Sequence, residues 1–579
     1  MRYLLMFICL YQCFSVAGQK HDHFWLMGQN SPMTPEHSGT VIDFNYFPPD
    51  IYYEFRDMYF FQTNASICDT AGNLLFYTNG IYIANALGEV MENGEGLNPG
   101  DHATLQAESG RGYILDQGAI ILPMPENDSI YYLLHMDRVW PTEEGVAHSS
   151  KHLYYTVVNI NMNGGLGEVI DKNQIILQGV FDKGKLTATR HANGRDWWLI
   201  IRDFDSNLYH RIMLSRNYIQ YFGSQTMGEV LPSRSIGQAT FSPDGTKYVN
   251  LQIAGTELEE DYISIYNFDR CTGILSEPIQ FTYLDTAWAG GIAISPNSRF
   301  LYVSSFVYLY QYDLWAADIE ASKDTVAIWD GFNENGFFST TFYLAQLAPD
   351  GKIYINSNNG VSYLHVINQP DLPGDSCEVC QHCVDLPTWN AFSMPNFPNY
   401  RLGPLEGSAC DTLRQPPVAG FEYAMQGSQV LFEDASYHDI RSWQWQFGDG
   451  QTDTVPHPVH QYDTSGSYEV CLSVSNPRGA DTLCQTVNVI INGVQEVVAQ
   501  GMEVYPNPAK DEITILLPSG LEEESLRLTI YDTFGKAILK RVVREPSFNI
   551  SIRDLANGMY FLKVQSTEKE YVTKVMISH

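Results

Sequence analysis

"GQATFSPDGTKYVNL" (237–251), "GGIAISPNSRFLYVSS" (290–305) and "YLAQLAPDGKIYINSN" (343–358) carry one pattern three times. Each starts with small and apolar residues, passes through a turn and leaves in a second apolar run. Pro243, Pro296 and Pro349 stand 53 residues apart in both gaps. Proline suits the second position of a tight turn, and Gly245 and Gly351 tolerate positive φ. The stretches "DYISIYNF" (261–268) and "SEPIQFTYL" (276–284) read as third and fourth strands after the first turn. Four short strands per 53 residues is the size of a propeller blade.

Weaker copies lie upstream: "ICDTAGNLLFYTNGIYIAN" (67–85), "GAIILPMPENDSIYYLLHM" (118–136) and "TATRHANGRDWWLIIRDF" (187–204). Asn79-Gly80 in the first is a strong hairpin signal between apolar runs. Turns at 72, 128, 194, 245, 298 and 351 give six units at intervals of 56, 66, 51, 53 and 53. A seventh is assembled from both ends. "HFWLMG" (23–28), "GTVIDFNYF" (39–47) and "DIYYEFRDMYFF" (50–61) lack an innermost partner, and "AFSMPNFPNYRLG" (391–403) is expected to pair with 23–28. Closure protects the sheet edges, which a solenoid, the alternative, would leave open. Gly118, Gly237, Gly290, Gly291 and Ala345 are expected where neighbouring inner strands crowd the channel. The units resemble the YVTN-type and WD-repeat-like propellers through "FSPDGTKYV" and "ISPNSRFLYV". The expected class is all-β: a seven-bladed propeller over 19–413, then two smaller sandwiches.

"MRYLLMFICLYQCFSVAGQ" at the start has Arg2, an apolar run and small residues before Gln19, and reads as a secretory signal peptide over 1–18. Cys13 follows Gln12, which is unlike a lipoprotein site. No later segment has 18 consecutive apolar residues, so no transmembrane segment is expected in the mature chain. The net charge of −33 is uneven: by count −25 over 19–415, −7 over 416–492 and −1 over 502–579. An acidic body repels phosphate backbones, so no nucleic-acid partner is expected.

"RQPP" (414–417) reads as a linker. The stretch 416–492 resembles a PKD domain, an immunoglobulin-like sandwich, through Trp445, Phe447-Gly448-Asp449-Gly450, His460, Tyr462, Gly466 and Tyr468, with Val470, Leu472 and Val474 alternating on one strand face. The resemblance implies a spacer or adhesive module. Asp449 reads as a turn cap rather than a metal ligand.

Residues 493–501 form a polar connection. The last stretch, 502–579, resembles the C-terminal sorting domain of type IX secretion. The landmarks are Pro506-Asn507-Pro508, the hairpin at Phe534-Gly535, and Asn557-Gly558 with Tyr560 and Lys574. The resemblance implies the type IX export machinery as a partner, outer-membrane passage, and removal of the tail with release or surface attachment.

Eight cysteines remain after the signal. "CEVCQHC" (377–383) with Cys410 has something of a zinc or iron–sulfur spacing, but Val384-Asp385-Leu386-Pro387 stands where a bacterial cluster run has its fourth cysteine. Export favours disulfides. Two bridges among Cys377, Cys380, Cys383 and Cys410 are expected, with three pairings open. Cys471 and Cys484 are expected to pair, because residues 475 and 480 flanking the loop put 471 opposite 484. "HDH" (21–23) reads as a frayed polar start rather than a metal site.

No phosphate loop, Gly-x-Ser-x-Gly or His-Glu-x-x-His occurs. Glu143, Glu144, His148, Asp203 and Asp205 have no catalytic spacing and read as loop residues, so no catalytic residue, metal or cofactor is assigned. Arg138 and Trp140, in the longest interval, are the candidate stacking and hydrogen-bonding contacts. The expected function is a secreted or surface protein that holds an extracellular glycan or protein. The alternative is an extracellular hydrolase or lyase acting on polysaccharide or peptide.

Overall fold

The computed structural model describes residues 19–29, 38–139, 146, 149–216, 218–233, 236–255, 259–411, 416–426, 428–436, 440–476, 478–489, 502–517, 526–531, 537–543, 545, 547–553, 555, 558–565 and 570–578. The signal peptide, Trp140, Glu143, Glu144, His148, the 493–501 connection and Gly535 lie outside them. The chain forms two compact units. The first is Met1–Ala424 with Leu431–Val459 and Glu469–Thr486; the second is Met425–Val430, His460–Tyr468 and Val487–His579. The protein is all-β, and no helix among the described residues is long and apolar enough to cross a membrane.

In the first unit, strands come in successive groups. The opening sheet has three: β1 (Phe24–Gly28), β2 (Gly39–Asp43) and β3 (Asp50–Glu54). Next come β4 (Ala65–Cys68), β5 (Leu74–Thr78), β6 (Tyr82–Asn85) and β7 (Val90–Glu95). A short helix, α1 (Asp101–Glu108), precedes β8 (Ala119–Pro123), β9 (Ile130–Met136), β10 (Ser150–Asn159) and β11 (Glu168–Phe181). These two groups join at their outer strands through one parallel pairing, Glu92 with Glu168. Four-stranded sheets follow: β12 (Ala188–Arg190), β13 (Trp197–Arg202), β14 (Leu208–Leu214) and β15 (Ile219–Thr226); β16 (Ala239–Phe241), β17 (Lys247–Gln252), β18 (Asp261–Asp269) and β19 (Ile274–Tyr283); then β20 (Gly290–Ile294), β21 (Phe300–Ser305), β22 (Tyr308–Asp313) and β23 (Asp324–Ile328). A hairpin, β24 (Asn333–Glu334) and β25 (Phe338–Ser339), precedes the last sheet, β26 (Phe342–Leu347), β27 (Ile353–Ser357), β28 (Val361–Ile367) and β29 (Val379–Asn390).

All six expected turns join the first strand of a group to its second. The repeated chemistry explains them. At the 245 turn the Gly245 N–H donates to Ser242 O at 2.7 Å, while Asp244 Oδ1 accepts from Thr246 N at 2.9 Å and Ser242 Oγ accepts from Lys247 N at 2.9 Å. At the next turn Ser295 Oγ accepts from Phe300 N at 2.8 Å and Asn297 Oδ1 from Arg299 N at 3.0 Å. The two turns also touch, Asp244 N donating to Ser298 Oγ at 3.0 Å. A short oxygen-bearing side chain beside proline gives the backbone an alternative to the ladder, which ends the strand there.

First strands of successive groups adjoin one another: β1 beside β4, β4 beside β8, β12 beside β16, β16 beside β20, and β20 beside β26. The small residues permit this. A Cβ on Gly291 would lie 2.8 Å from the Leu344 Cα of the next sheet. Between sheets lie buried apolar side chains, among them Trp25, Ile67, Phe76, Leu133, Trp197 and Leu199.

The seam differs from expectation. Residues 391–403 form no strand, and β1 pairs only with β2. The last sheet instead meets the first through β29, which lies beside β1, β2 and β3, with Thr40 and Thr388 hydroxyls 2.6 Å apart. Pro395 and Pro398 have no N–H to give a ladder. The segment serves as a strap, attached by side chains. Asn396 Nδ2 reaches Ala119 O and Leu186 O, both at 2.9 Å, and Tyr400 Oη reaches Ile121 O at 2.7 Å.

Strands β30 (Phe421–Gln426), β31 (Gln429–Asp434), β32 (Ser442–Gln446), β33 (Thr452–Asp453), β34 (Val459–Gln461), β35 (Gly466–Asn476) and β36 (Gly479–Val489) follow, with β33-β32-β35-β36 as one sheet. Trp445 is fully buried, packs on Phe421 and Phe432, and donates to Val455 O at 3.0 Å. Asp449 Oδ1 accepts from Gln451 N at 3.0 Å, which is turn capping. Gly448, at φ 81, is pressed against the Glu469 backbone, so a side chain there is excluded.

In the second unit, β37 (Glu503–Tyr505), β38 (Glu512–Leu516), β39 (Leu526–Tyr531), β40 (Ala537–Val543), β41 (Ser547–Ser551), β42 (Gly558–Gln565) and β43 (Glu570–Ile577) form two sheets, β37-β38-β41 and β40-β39-β42-β43. Ile513, Ile515, Leu528, Ile530, Leu562 and Val564 are fully buried in their common core. Asn507 fixes the start to the end: its Nδ2 donates to Lys574 O at 3.1 Å and its Oδ1 accepts from Met576 N at 2.8 Å.

The disulfides are Cys271–Cys410, Cys380–Cys383 and Cys471–Cys484, with Cα separations of 5.6, 5.9 and 4.0 Å. This corrects the pairing expected among Cys377, Cys380, Cys383 and Cys410. Cys410 leaves the local group for Cys271 on the β18–β19 turn. Cys377 is a buried free thiol, as is Cys68. Sequence distance hid the first pairing, since 139 residues separate partners that the segment after β29 brings together, Leu405 N donating to Ala192 O at 2.8 Å beside the Cys271 turn.

Candidate functional site

The axis of the first unit is where residues from most groups meet. Its polar side chains come from the segments that enter the first strands. Gln117, before β8, reaches past one group to β16: Ala239 N donates to its Oε1 at 2.8 Å and its Nε2 donates to Ala239 O at 3.0 Å. Gln238, before β16, ties two further sheets. Its Oε1 accepts from Ile292 N and Ala345 N, both at 2.9 Å, and its Nε2 donates to Ala345 O at 3.3 Å. Asn396 of the strap accepts from Gln117 Nε2 at 3.2 Å. These amides stitch backbone groups that the inner edges of the sheets leave without a ladder partner.

A charged cluster lies beside them. Tyr343 Oη donates to Asp116 Oδ2 at 2.7 Å, and Gln62 Nε2 donates to Tyr343 Oη at 3.3 Å. Burial pushes the Asp116 carboxyl up to about 6, against the Tyr343 hydrogen bond and the charges of Lys183 and Lys185. Burial, reinforced by Arg138, brings Lys183 down to about 7. Burial brings Lys185 down to about 8, with Asp182 opposing. Asp182 Oδ2 accepts from Lys185 Nζ at 3.2 Å and Arg202 Nη2 at 3.0 Å. Its burial raises the pKa, but the Lys185 and Arg202 charges outweigh this and hold the carboxylate low.

A cavity of about 330 Å³ opens at the axis. Thr187, Thr189, Thr240, Ser242, Gln346 and Asn399 line it among alanine, isoleucine and proline surfaces, with Asn399 Nδ2 donating to Pro243 O at 2.8 Å and Ser242 Oγ accepting from Lys247 N at 2.9 Å. Asp22 and Arg401 stand at its wall as a closed ion pair, Arg401 Nη1 lying 2.9 Å from Asp22 Oδ2. The "HDH" start is thus interior, not a frayed end. His21, Asp22 and His23 are buried, and His21 Nδ1 lies 2.6 Å from Cys68 O.

Of the residues singled out earlier, Arg138, Asp203 and Asp205 lie among the described residues. Arg138 is half-buried and its Nη1 donates to Ile114 O at 3.2 Å, a structural anchor. Asp203 pairs with His210 at 2.8 Å, and Asp205 Oδ1 accepts from Ser233 N at 2.6 Å. No group of three or more metal-ligating side chains forms among the described residues. The axial residues Gln117, Gln238, Asp116, Lys183 and Arg401 were missed. One signal was present: an amide beside glycine at the start of a repeat, Gln117-Gly118 and Gly237-Gln238.

Comparison with known proteins locates the two smaller modules. Residues 416–491 match the PKD domain family, and residues 503–578 match the secretion system C-terminal sorting domain. The chain is similar to the pre-pro-metalloprotease PrtV of Vibrio cholerae, 40% identical over 77 residues, which is 13% of this chain and 8% of that protein. It is similar to collagenase ColQ1 of Bacillus cereus, 36% identical over 74 residues, 13% of this chain and 7% of that protein. Among solved structures, the PKD1 domain of the V. cholerae metalloprotease PrtV is 38% identical and covers 13% of this chain and 98% of that chain, with a TM-score of 0.13. The chain thus spans under a tenth of the length of these curated relatives. It carries a PKD domain and a type IX secretion sorting domain, and the sorting domain directs it to the extracellular space or the cell surface.

Proposed function

We propose that the protein is a secreted or surface-held binding protein in which residues 19–413 form a seven-bladed propeller that holds a ligand at its axis. The PKD module, 414–492, is its spacer, and 502–579 is an export address. The observation that carries the reading is the axial cavity, whose wall is built from threonine, serine, glutamine and asparagine residues of several sheets and of the strap. Its one charged pair, Asp22 with Arg401, is internally neutralised. Such a wall favours a neutral, polyhydroxylated ligand, which exchanges many hydrogen bonds with water for hydrogen bonds with protein. The ligand class is therefore a neutral glycan.

A glycan array probed with the secreted full chain tests this, followed by calorimetry on the best ligand. Thr240→Val and Arg401→Ala are expected to weaken binding about tenfold each, the loss of roughly 1.4 kcal/mol. Absence of any neutral-glycan signal, or binding indifferent to both substitutions, overturns the reading.

The enzyme alternative, a hydrolase or lyase, rests on Asp116 and Lys183, whose shifts toward neutrality suit proton transfer. The PKD module is shared with a metalloprotease and collagenases, but the match covers at most 8% and 7% of the two proteins compared above. Protease character does not pass to this chain through that module. Turnover of a polysaccharide or peptide by the wild type and its loss in Asp116→Asn would favour the enzyme.

A further inference from the structure

The motif Cys380-Gln381-His382-Cys383 plays no part in the axial site. It forms a bulge in β29. Leu364 pairs with Val384 and Val366 with Cys380, so two steps on β28 face four on β29. The disulfide closes the bulge across a sequence separation of three. Cys383 is exposed and Cys380 half-buried.

Stability does not explain the bridge. Restriction of the unfolded chain grows with the loop closed, so a separation of three contributes least of the three bridges, against 13 and 139. Cys484 is exposed as well, but its bridge joins two long strands. Nor is the disulfide needed to shape the bulge. His382 takes φ 40 and is held by its own contacts. Its N–H donates to His365 Nδ1 at 3.1 Å, its Nε2 lies 2.8 Å from Asp330 Oδ2, and its ring stacks on Phe332 at 4.3 Å. Gln381 Nε2 donates to Ile328 O at 2.9 Å, and its Oε1 accepts from Asp330 N at 3.1 Å. None of these bonds involves the sulfurs, so the backbone that apposes Cys380 and Cys383 is held independently of the S–S bond.

We propose that Cys380–Cys383 is a thiol–disulfide exchange site that oxidises the dithiol of an extracellular protein or peptide. A substrate thiolate attacks the exposed Cys383 Sγ. The S–S bond breaks, and Cys380 leaves as a thiolate that takes up a proton. The substrate's second thiolate then attacks its own sulfur in the mixed disulfide, and Cys383 leaves as a thiolate and is protonated. The substrate gains a disulfide; this chain gains two electrons and two protons. A small disulfide such as glutathione disulfide restores the bridge by the reverse exchange. Cys377 stays out: it is fully buried, and burial pushes its thiol up to about 11.

The test uses the oxidised full chain in graded mixtures of reduced and oxidised glutathione, with alkylation and peptide mass spectrometry. Cys380–Cys383 is expected to open at a reduced-to-oxidised ratio about tenfold below that opening the other two bridges. A dithiol peptide is expected to be oxidised in one-to-one stoichiometry by the wild type and not by Cys380→Ser or Cys383→Ser. Opening of all three bridges together overturns the proposal and requires no variant to fold. So does peptide oxidation at the same rate by either serine variant.

Discussion

Gln238→Leu is the substitution that most directly probes how the axis is held together. The side chain is 4% exposed, and its amide serves the Ile292 and Ala345 N–H groups and the Ala345 carbonyl. Leucine keeps much of the volume and removes every polar atom. Ile292 and Ala345 are 1% and 3% exposed, so water does not readily replace the amide. Two stranded N–H groups at about 1–3 kcal/mol each give about 2–6 kcal/mol of destabilisation. Denaturant unfolding followed by tryptophan fluorescence, which Trp197 and Trp198 report from the buried ring, measures the loss. The expected result is a lower midpoint for the transition of the first unit with an unchanged slope. A shift equivalent to less than about 1 kcal/mol would refute the view that side-chain amides substitute for a ladder at the inner edges.

Four further outcomes follow from the same structure. Lys183 is lowered to about 7 in the folded state against 10.5 unfolded, so the folded chain binds fewer protons between those values and stability rises with pH across that window; Lys183→Met is expected to remove that slope and to exceed wild-type stability most at or below pH 7, as read from denaturant midpoints across pH. Cys471→Ser with Cys484→Ser is expected to cost about 3 kcal/mol, the entropy of a 13-residue span, and calorimetry of the secreted protein checks it against the single transition that contains Trp445. Deletion of 502–579 is expected to leave a folded first unit trapped in the periplasm, and Asn507→Ala, which frees Met576 N and Lys574 O, to lower tail stability by about 1 kcal/mol; surface labelling that finds the truncated chain outside the cell would refute the address role.

Local chemistry was legible in the chain itself. The six turns fall where Pro, Asp, Asn and Gly place them, because a turn is decided within four or five residues. The PKD core was readable from Trp445 and the alternating Val470, Leu472 and Val474, and the tail from its landmarks. The arrangement around the axis was not readable. Residues 391–403 look like a strand by composition, yet two prolines and the pull of carbonyls at Ala119, Leu186 and Ile121 make them a strap. Cys410 looks like a partner for the cysteines nearest in sequence, but the segment after β29, held to Ala192, delivers it to Cys271. Arg138 reads as a loop residue, and the structure shows its Nη1 donating to Ile114 O, 24 residues back. Gln117, Gln238 and Asn396 look like ordinary polar residues until the first strands crowd together and leave N–H groups for them to serve. In each case the deciding partner lies 24 to 279 residues away. Periodicity and turn chemistry act through neighbours in sequence, whereas hydrogen-bond satisfaction at the axis is settled only when the sheets have closed around it.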